Sequence, residues 1–153
     1  MPTVELYRDE QIAMAQQAIL QISDIWVEPA EGEWEPLSDD LCSEVRFVHE
    51  WEGRLMLECS RPLAAVLSAS MLMRPIEEIG DTDVQDVIGE LLNTIAGNLK
   101  CLLPADTELT IPVTGDRAKR IEGTVLTGQV CQEDHGIVLA CEIGAIRLSF
   151  WHC

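Results

Sequence analysis

At 153 residues the chain is long enough to bury an apolar core without disulfides or metal, and residues 1–153 read as a single domain. Its 47% apolar and 24% charged residues exclude the low-hydrophobicity, high-charge signature of disorder. A formal charge of -17, from 27 acidic against 10 basic residues, repels a phosphate backbone, and no basic stripe interleaved with aromatics offsets it, so no nucleic-acid partner is expected. Charged residues stand in Met1–Glu10 where an export signal needs an apolar core, and no run of about 18 apolar residues follows. A cytoplasmic protein with no membrane partner is expected. Cys42, Cys59, Cys101, Cys131, Cys141 and Cys153 lie at unrelated spacings, which predicts reduced thiols.

In chain order, Ile12, Ala15, Ile19, Ile22 and Ile25 recur at three- and four-residue steps, predicting an amphipathic helix over Asp9–Ile25 with Asp9 as N-cap. Val27–Asp40, with Pro29, Gly32 and Pro36, reads as a loop. Val45, Phe47, His49 and Trp51 alternate onto one side, as do Leu55, Leu57 and Cys59 after Gly53, predicting a hairpin. Pro62 suits the first turn of a second helix that Pro75 terminates. Thr82 or Asp83 caps a third and longest helix, in which Val84, Val87, Ile88, Leu91, Leu92, Ile95 and Leu99 follow the helical repeat.

A connection over Leu109–Gly115 leads to three β-rich runs, GTVLTGQV, GIVLACEIG and AIRLSFW, read as a meander with turns at Glu133–Gly136 and at Gly144. Helix, two strands, two helices, three strands has no alternating βαβ rhythm. The class is therefore α+β, a largely antiparallel sheet with helices packed against it.

The third helix carries the candidate site. At about 100° per residue, with Asp86 at zero, Glu90 falls near 40° and Asn93 near -20°, opposite the apolar stripe around 180°. Gly97 near 20° and Gly89 near -60° share the outward half. An interior helix glycine costs roughly 0.8–1 kcal/mol relative to alanine, and its missing side chain permits close approach of another surface. Both glycines are thus expected to flatten a docking surface around Glu90 and Asn93. A polar stripe opposite an apolar one is also what any amphipathic surface helix shows, so the pattern alone assigns no chemistry.

Elsewhere the signals are weaker. A zinc site could be drawn from Cys131, His135, Cys141, His152 and Cys153, but no C-x-x-C pair exists, and no metal site is expected. A cysteine nucleophile served by His49 or His135 has nothing local to support it. Cys59, Cys101 and Cys141 sit in apolar runs, where a thiol behaves as a small hydrophobe. Trp26, Trp34 and Trp151 read as packing residues rather than a ligand site.

The spacing Asp86-x-x-x-Glu90-x-x-Asn93 resembles the signature of the CheC, CheX and FliY phosphatases of bacterial chemotaxis. The likeness continues through GELLNTIAGNLKCLLP, with the Gly97-Asn98 pair, to TIPVTG with Pro112, and upstream through WEGRLMLECSRPLAAVLSASML, so that it covers roughly residues 44 to 151. The first helix, DEQIAMAQQAILQI, has no second E-x-x-N motif, which favours the CheX branch and one site per chain.

The resemblance implies a CheC-like fold and hydrolysis of the aspartyl phosphate of a phosphorylated, CheY-like response regulator. Asn93 would orient the attacking water and Glu90 would pair with a regulator lysine. Asp86 matches the motif without a derived role, and Gly89, Gly97 and Asn98 would contact the partner. No cofactor of the chain's own is implied, since the regulator holds the Mg²⁺. A homodimer through unpaired sheet edges is also implied. The alternative is a non-catalytic adaptor of the same fold, docking on a regulator or flagellar switch component through the same face.

Overall fold

A computed structural model describes residues 8–30, 35, 37, 39–116 and 132–153. Helix α1 spans Arg8–Ser23. It stops where Asp24 turns left-handed at φ 58, and the Ser23 hydroxyl donates back to the Ile19 carbonyl at 2.6 Å. Ile25, the predicted end, therefore lies beyond the helix, and Asp9, the predicted N-cap, lies in its first turn. The loop predicted over 27–40 contains a two-residue strand, β1 (Glu28–Pro29).

Strands β2 (Leu41–His49) and β3 (Gly53–Cys59) form the predicted hairpin, paired from Leu41↔Cys59 to Phe47↔Gly53. Trp51 is buried against Phe47 and Phe150. His49 leaves the side it was expected to share with Val45, Phe47 and Trp51. Its backbone turns to φ 77 at the strand end, and its side chain lies out beside Glu108 at 3.2 Å.

Helix α2 (Arg61–Leu72) carries Pro62 in its first turn. Met73 in the left-handed conformation closes it, with the Arg74 N–H reaching the Ala69 carbonyl at 3.1 Å. The helix thus ends before the residue that Pro75 would bar from helical geometry. A single 3₁₀ turn over Ile76–Glu78 leads to α3 (Asp81–Lys100).

The connection expected over 109–115 instead holds parts of two short strands, β4 (Thr107–Leu109) and β5 (Val113–Asp116), laid end to end along β2. Between them Thr110 stays attached, its N–H donating to the Arg46 carbonyl at 2.9 Å while its hydroxyl accepts from the Arg46 N–H at 2.9 Å. Strands β6 (Gln132–Ala140) and β7 (Ala145–His152) turn at Gly144 as expected. The turn expected at Glu133–Gly136 is absent; those residues continue β6 through a register shift between Glu133 and His135. A bulge absorbs the extra residue without ending the strand. The run at 123–130, Trp34, Cys131 and the His135 side chain lie outside the described residues.

Among the described residues the strand order is β1-β6-β7-β3-β2-β4, with β5 also on β2, and every pairing is antiparallel. The fold is α+β, with three helices against an antiparallel sheet, as the element order implies. One sheet face meets the helices: Ala15 and Ile19 from α1, Leu63 and Leu67 from α2, and Val84, Ile88, Leu91 and Ile95 from α3 pack on Val45, Phe47, Leu55, Leu57, Leu148 and Phe150. The opposite face carries Glu44, Arg54, Glu58 and Ser149, all buried, with Arg54 Nε 3.3 Å from Glu44 Oε1. No described helix is long and apolar enough to cross a membrane.

Among the described residues Cys42, Cys59, Cys101 and Cys141 are outside any disulfide, whereas Cys153 is disulfide-bonded. The expectation of reduced thiols throughout is corrected at that residue, because spatial proximity is set by the fold rather than by spacing along the chain. Cys59, read as a small hydrophobe, is fully buried, whereas Cys101, read the same way, is exposed at the C-cap of α3.

Candidate functional site

Helix α3 is pinned from one side. Val84, Val87, Ile88, Leu91, Leu92, Ile95, Ala96 and Leu99 are buried, so most of the opposite side faces outward. Asp86, Glu90 and Asn93 are exposed together on that outward side, as the helical spacing predicts, and Gly97 and Asn98 are exposed beyond them. Among the described residues, no side-chain hydrogen bond or ion pair occupies Asp86, Glu90 or Asn93. The Thr94 hydroxyl donates to the Glu90 backbone carbonyl at 3.0 Å, leaving the carboxylate uncommitted.

Gly89 departs from expectation. It is buried, and a Cβ built on it would lie 3.1 Å from Thr114 Oγ1 and 3.8 Å from Pro112 Cβ. Its missing side chain admits the protein's own β5 segment rather than an external surface. The Thr114 hydroxyl is in turn fixed to the Ser43 hydroxyl at 2.8 Å. Gly97 behaves as expected for a clearance: nothing lies within 4 Å of its would-be Cβ.

The result is an open groove of about 290 Å³ between α3 and the β5 segment, lined by Gln85, Asp86, Gly89, Glu90, Asn93, Pro112 and Thr114. The sequence motif accounts for one wall. Gln85 and Thr114 were not singled out from the sequence, and only the Gly89 contact reveals that Pro112 and Thr114 form the second wall. Ile111, next to Pro112, is 85% exposed.

Charge is organised at the N-terminal end of α3. Arg61 of α2 donates from Nε to the Asp39 carbonyl at 2.7 Å, from Nη1 to Asp81 Oδ1 at 2.7 Å and from Nη2 to Asp116 Oδ1 at 2.5 Å. Its pKa is raised, first by the hydrogen bond to Asp81. Asp81 Oδ2 also accepts from Gln85 Nε2 at 2.7 Å. The cap differs from the predicted Thr82 or Asp83: Gly80 is the N-cap, and its N–H donates to Asp83 Oδ2 at 2.9 Å. Arg74 Nη2 lies 2.7 Å from the same oxygen. The Gly80 hydrogen bond, followed by Arg74, lowers the Asp83 pKa.

An amide and a carboxylate one helical turn apart, both exposed beside an open groove, can position a water and a cation on a docked surface. Among the described residues no three His, Cys, Asp or Glu side chains are grouped to hold an ion.

Residues 41–133 match the family model described as chemotaxis phosphatase CheX. A search of curated proteins by sequence gives no match. Solved structures match over nearly the whole chain. The chemotaxis protein CheX from Vibrio vulnificus has a TM-score of 0.70 at 16% identity, covering 94% of each chain. A CheC-like superfamily protein from a Shewanella species has 0.68 at 14% identity, covering 98% of each. The chain from a CheX-CheY-BeF3-Mg complex of Borrelia burgdorferi has 0.66 at 13% identity, covering 95% of this chain and 97% of that one.

Proposed function

Because this chain belongs to the CheX family of chemotaxis phosphatases, we propose that it hydrolyses the aspartyl phosphate of a CheY-like response regulator docked on the outward face of α3. The observation that carries this reading is the exposure of Glu90 and Asn93, uncommitted and side by side, on the rim of the α3–β5 groove.

In this reading the Asn93 carboxamide holds a water in line with the bond to be broken. The water oxygen attacks phosphorus, the bond from phosphorus to the regulator's aspartate oxygen breaks, and inorganic phosphate and a free carboxylate result. Phosphoryl transfer asks mainly for positioning and charge stabilisation, which an amide can supply without acting as a base. The chain needs no cofactor of its own, since the regulator brings its Mg²⁺. Glu90 pairs with a regulator lysine, a contact that strengthens as the interface sheds water. The complex of a Borrelia burgdorferi relative with CheY, BeF3 and Mg supports a partner of this kind. Gly97 and Asn98 give clearance and polar contact beyond Asn93, and exposed Ile111 offers apolar area for the partner to cover. Gly89 lines the groove from beneath, and Asp86 borders it without an assigned step. The same reading includes a cytoplasmic homodimer joined through a sheet edge.

The test is phosphate release from a phosphorylated CheY-like regulator, with binding measured separately on its BeF3-activated form. Asn93→Ala is expected to abolish the acceleration while leaving affinity within a few-fold. Glu90→Ala is expected to weaken affinity as well. A chain that binds the regulator but leaves its dephosphorylation rate unchanged is an adaptor, and the catalytic reading fails.

A further inference from the structure

The groove has two walls from distant parts of the chain, and one side chain, Arg61, ties the start of one to the end of the other. Arg61 starts α2, Asp81 is the first residue of α3, and Asp116 is the last residue of β5. One guanidinium bridges all three, and its third arm fixes the approach to β2 through the Asp39 carbonyl. Asp81 then orients Gln85, whose side chain lines the groove.

We propose that Arg61 is a positioning residue that sets the width of the α3–β5 groove and thereby the affinity for the partner docked there. A planar, fork-shaped donor suits two carboxylates at fixed angles. Without it, Asp81 and Asp116 would face each other in a chain of net charge -17. The neighbouring cation at this helix end, Arg74, is already engaged by Asp83. Like-charge repulsion would drive the start of α3 and the end of β5 apart, release the Gln85 amide and shift Thr114 from Gly89. Glu90 and Asn93 share one helix, so their mutual register would survive. Arg61 therefore acts on docking, through the second wall, rather than on the hydrolytic step.

The effect on hydrolysis rests on the function proposed above; the effect on the groove does not. Two readouts separate them. In phosphate release, Arg61→Gln is expected to raise KM by about tenfold with kcat little changed. That is the signature of lost uniform binding. A mere folding defect would instead lower the active fraction and so kcat, at constant KM. In amide hydrogen exchange, with no partner present, Arg61→Gln is expected to speed exchange at Thr114–Asp116 and at the first turn of α3, while α1 is unaffected. Arg61→Lys, a point charge without the fork, should recover part of both effects. Asp116→Ala removes the bridge without leaving two facing carboxylates, and should loosen β5 less than Arg61→Gln does; it decides the matter if Arg61→Gln fails to fold. Exchange at β5 indistinguishable from wild type in both Arg61→Gln and Asp116→Ala overturns the clamp. A wild-type chain without phosphatase activity overturns the proposed function, while the exchange data still judge Arg61.

Discussion

Asn93, Glu90 and Asp86 stay exposed because each stands opposite a stripe of residues that only the core can hold, and a 100° step per residue makes that legible without coordinates. Gly97 shares this logic, and its clearance can be tested. Nothing surrounds its would-be Cβ, so Gly97→Ala should stabilise the protein by about 0.8–1 kcal/mol through helix propensity, measured by urea denaturation. The same variant should weaken binding of the activated regulator. Unchanged affinity would show that the partner does not approach Gly97. Gly89 was not legible in this way, since a position near the edge of the outward half is covered or open according to what another segment does. The cysteines illustrate the same limit. Burial raises the pKa of the Cys59 thiol, first by desolvation and then through the charges of Asp40 and Cys141. Iodoacetamide on the native protein should therefore modify exposed Cys101 and spare Cys59, as peptide mapping would show.

At the scale of elements, long periodic helices were the easiest to read and short strands the hardest. Strands β4 and β5 hold three and four residues and are separated by a proline, so neither shows an alternating pattern of its own. What makes them strands is the ladder that β2 offers, and a ladder partner is not a local property. The α3 cap follows the same rule: Asp83 was recognised as a capping residue, but it serves from inside the helix, with Gly80 at the N-cap position. Because its pKa is lowered in the folded state, Asp83 contributes stability that is present above its unfolded value of 3.8 and is lost as pH falls through the lower folded value. Acidification below that value should fray the first turn of α3, seen as faster amide exchange at Val84–Val87 after correction for the intrinsic rate. Asp83→Asn should remove the acid-dependent part of that change, and an identical pH profile in the variant would remove Asp83 from the explanation.

At the scale of the molecule, the sheet has one face closed by helices and a second on which Glu44, Arg54 and Glu58 are buried too. Among the described residues the sheet path ends at β1 on one side and β4 on the other, and a strand edge is a template for another chain. The homodimer of the proposed function should appear in light scattering as twice the chain's mass, with the share of dimer falling on dilution. A monomer throughout the micromolar range would remove it.

Sequence alone determined the helices, the hairpin, the antiparallel class and the outward face of α3. These follow from periodicity and covalent order, which each segment carries in itself. Tertiary structure alone decided that Gly89 is covered, that Pro112 and Thr114 make the second wall of the groove, and that Arg61 joins Asp81 to Asp116. Each of those is a meeting of segments far apart in the chain, and it exists only once the core has brought α2, α3 and β5 together.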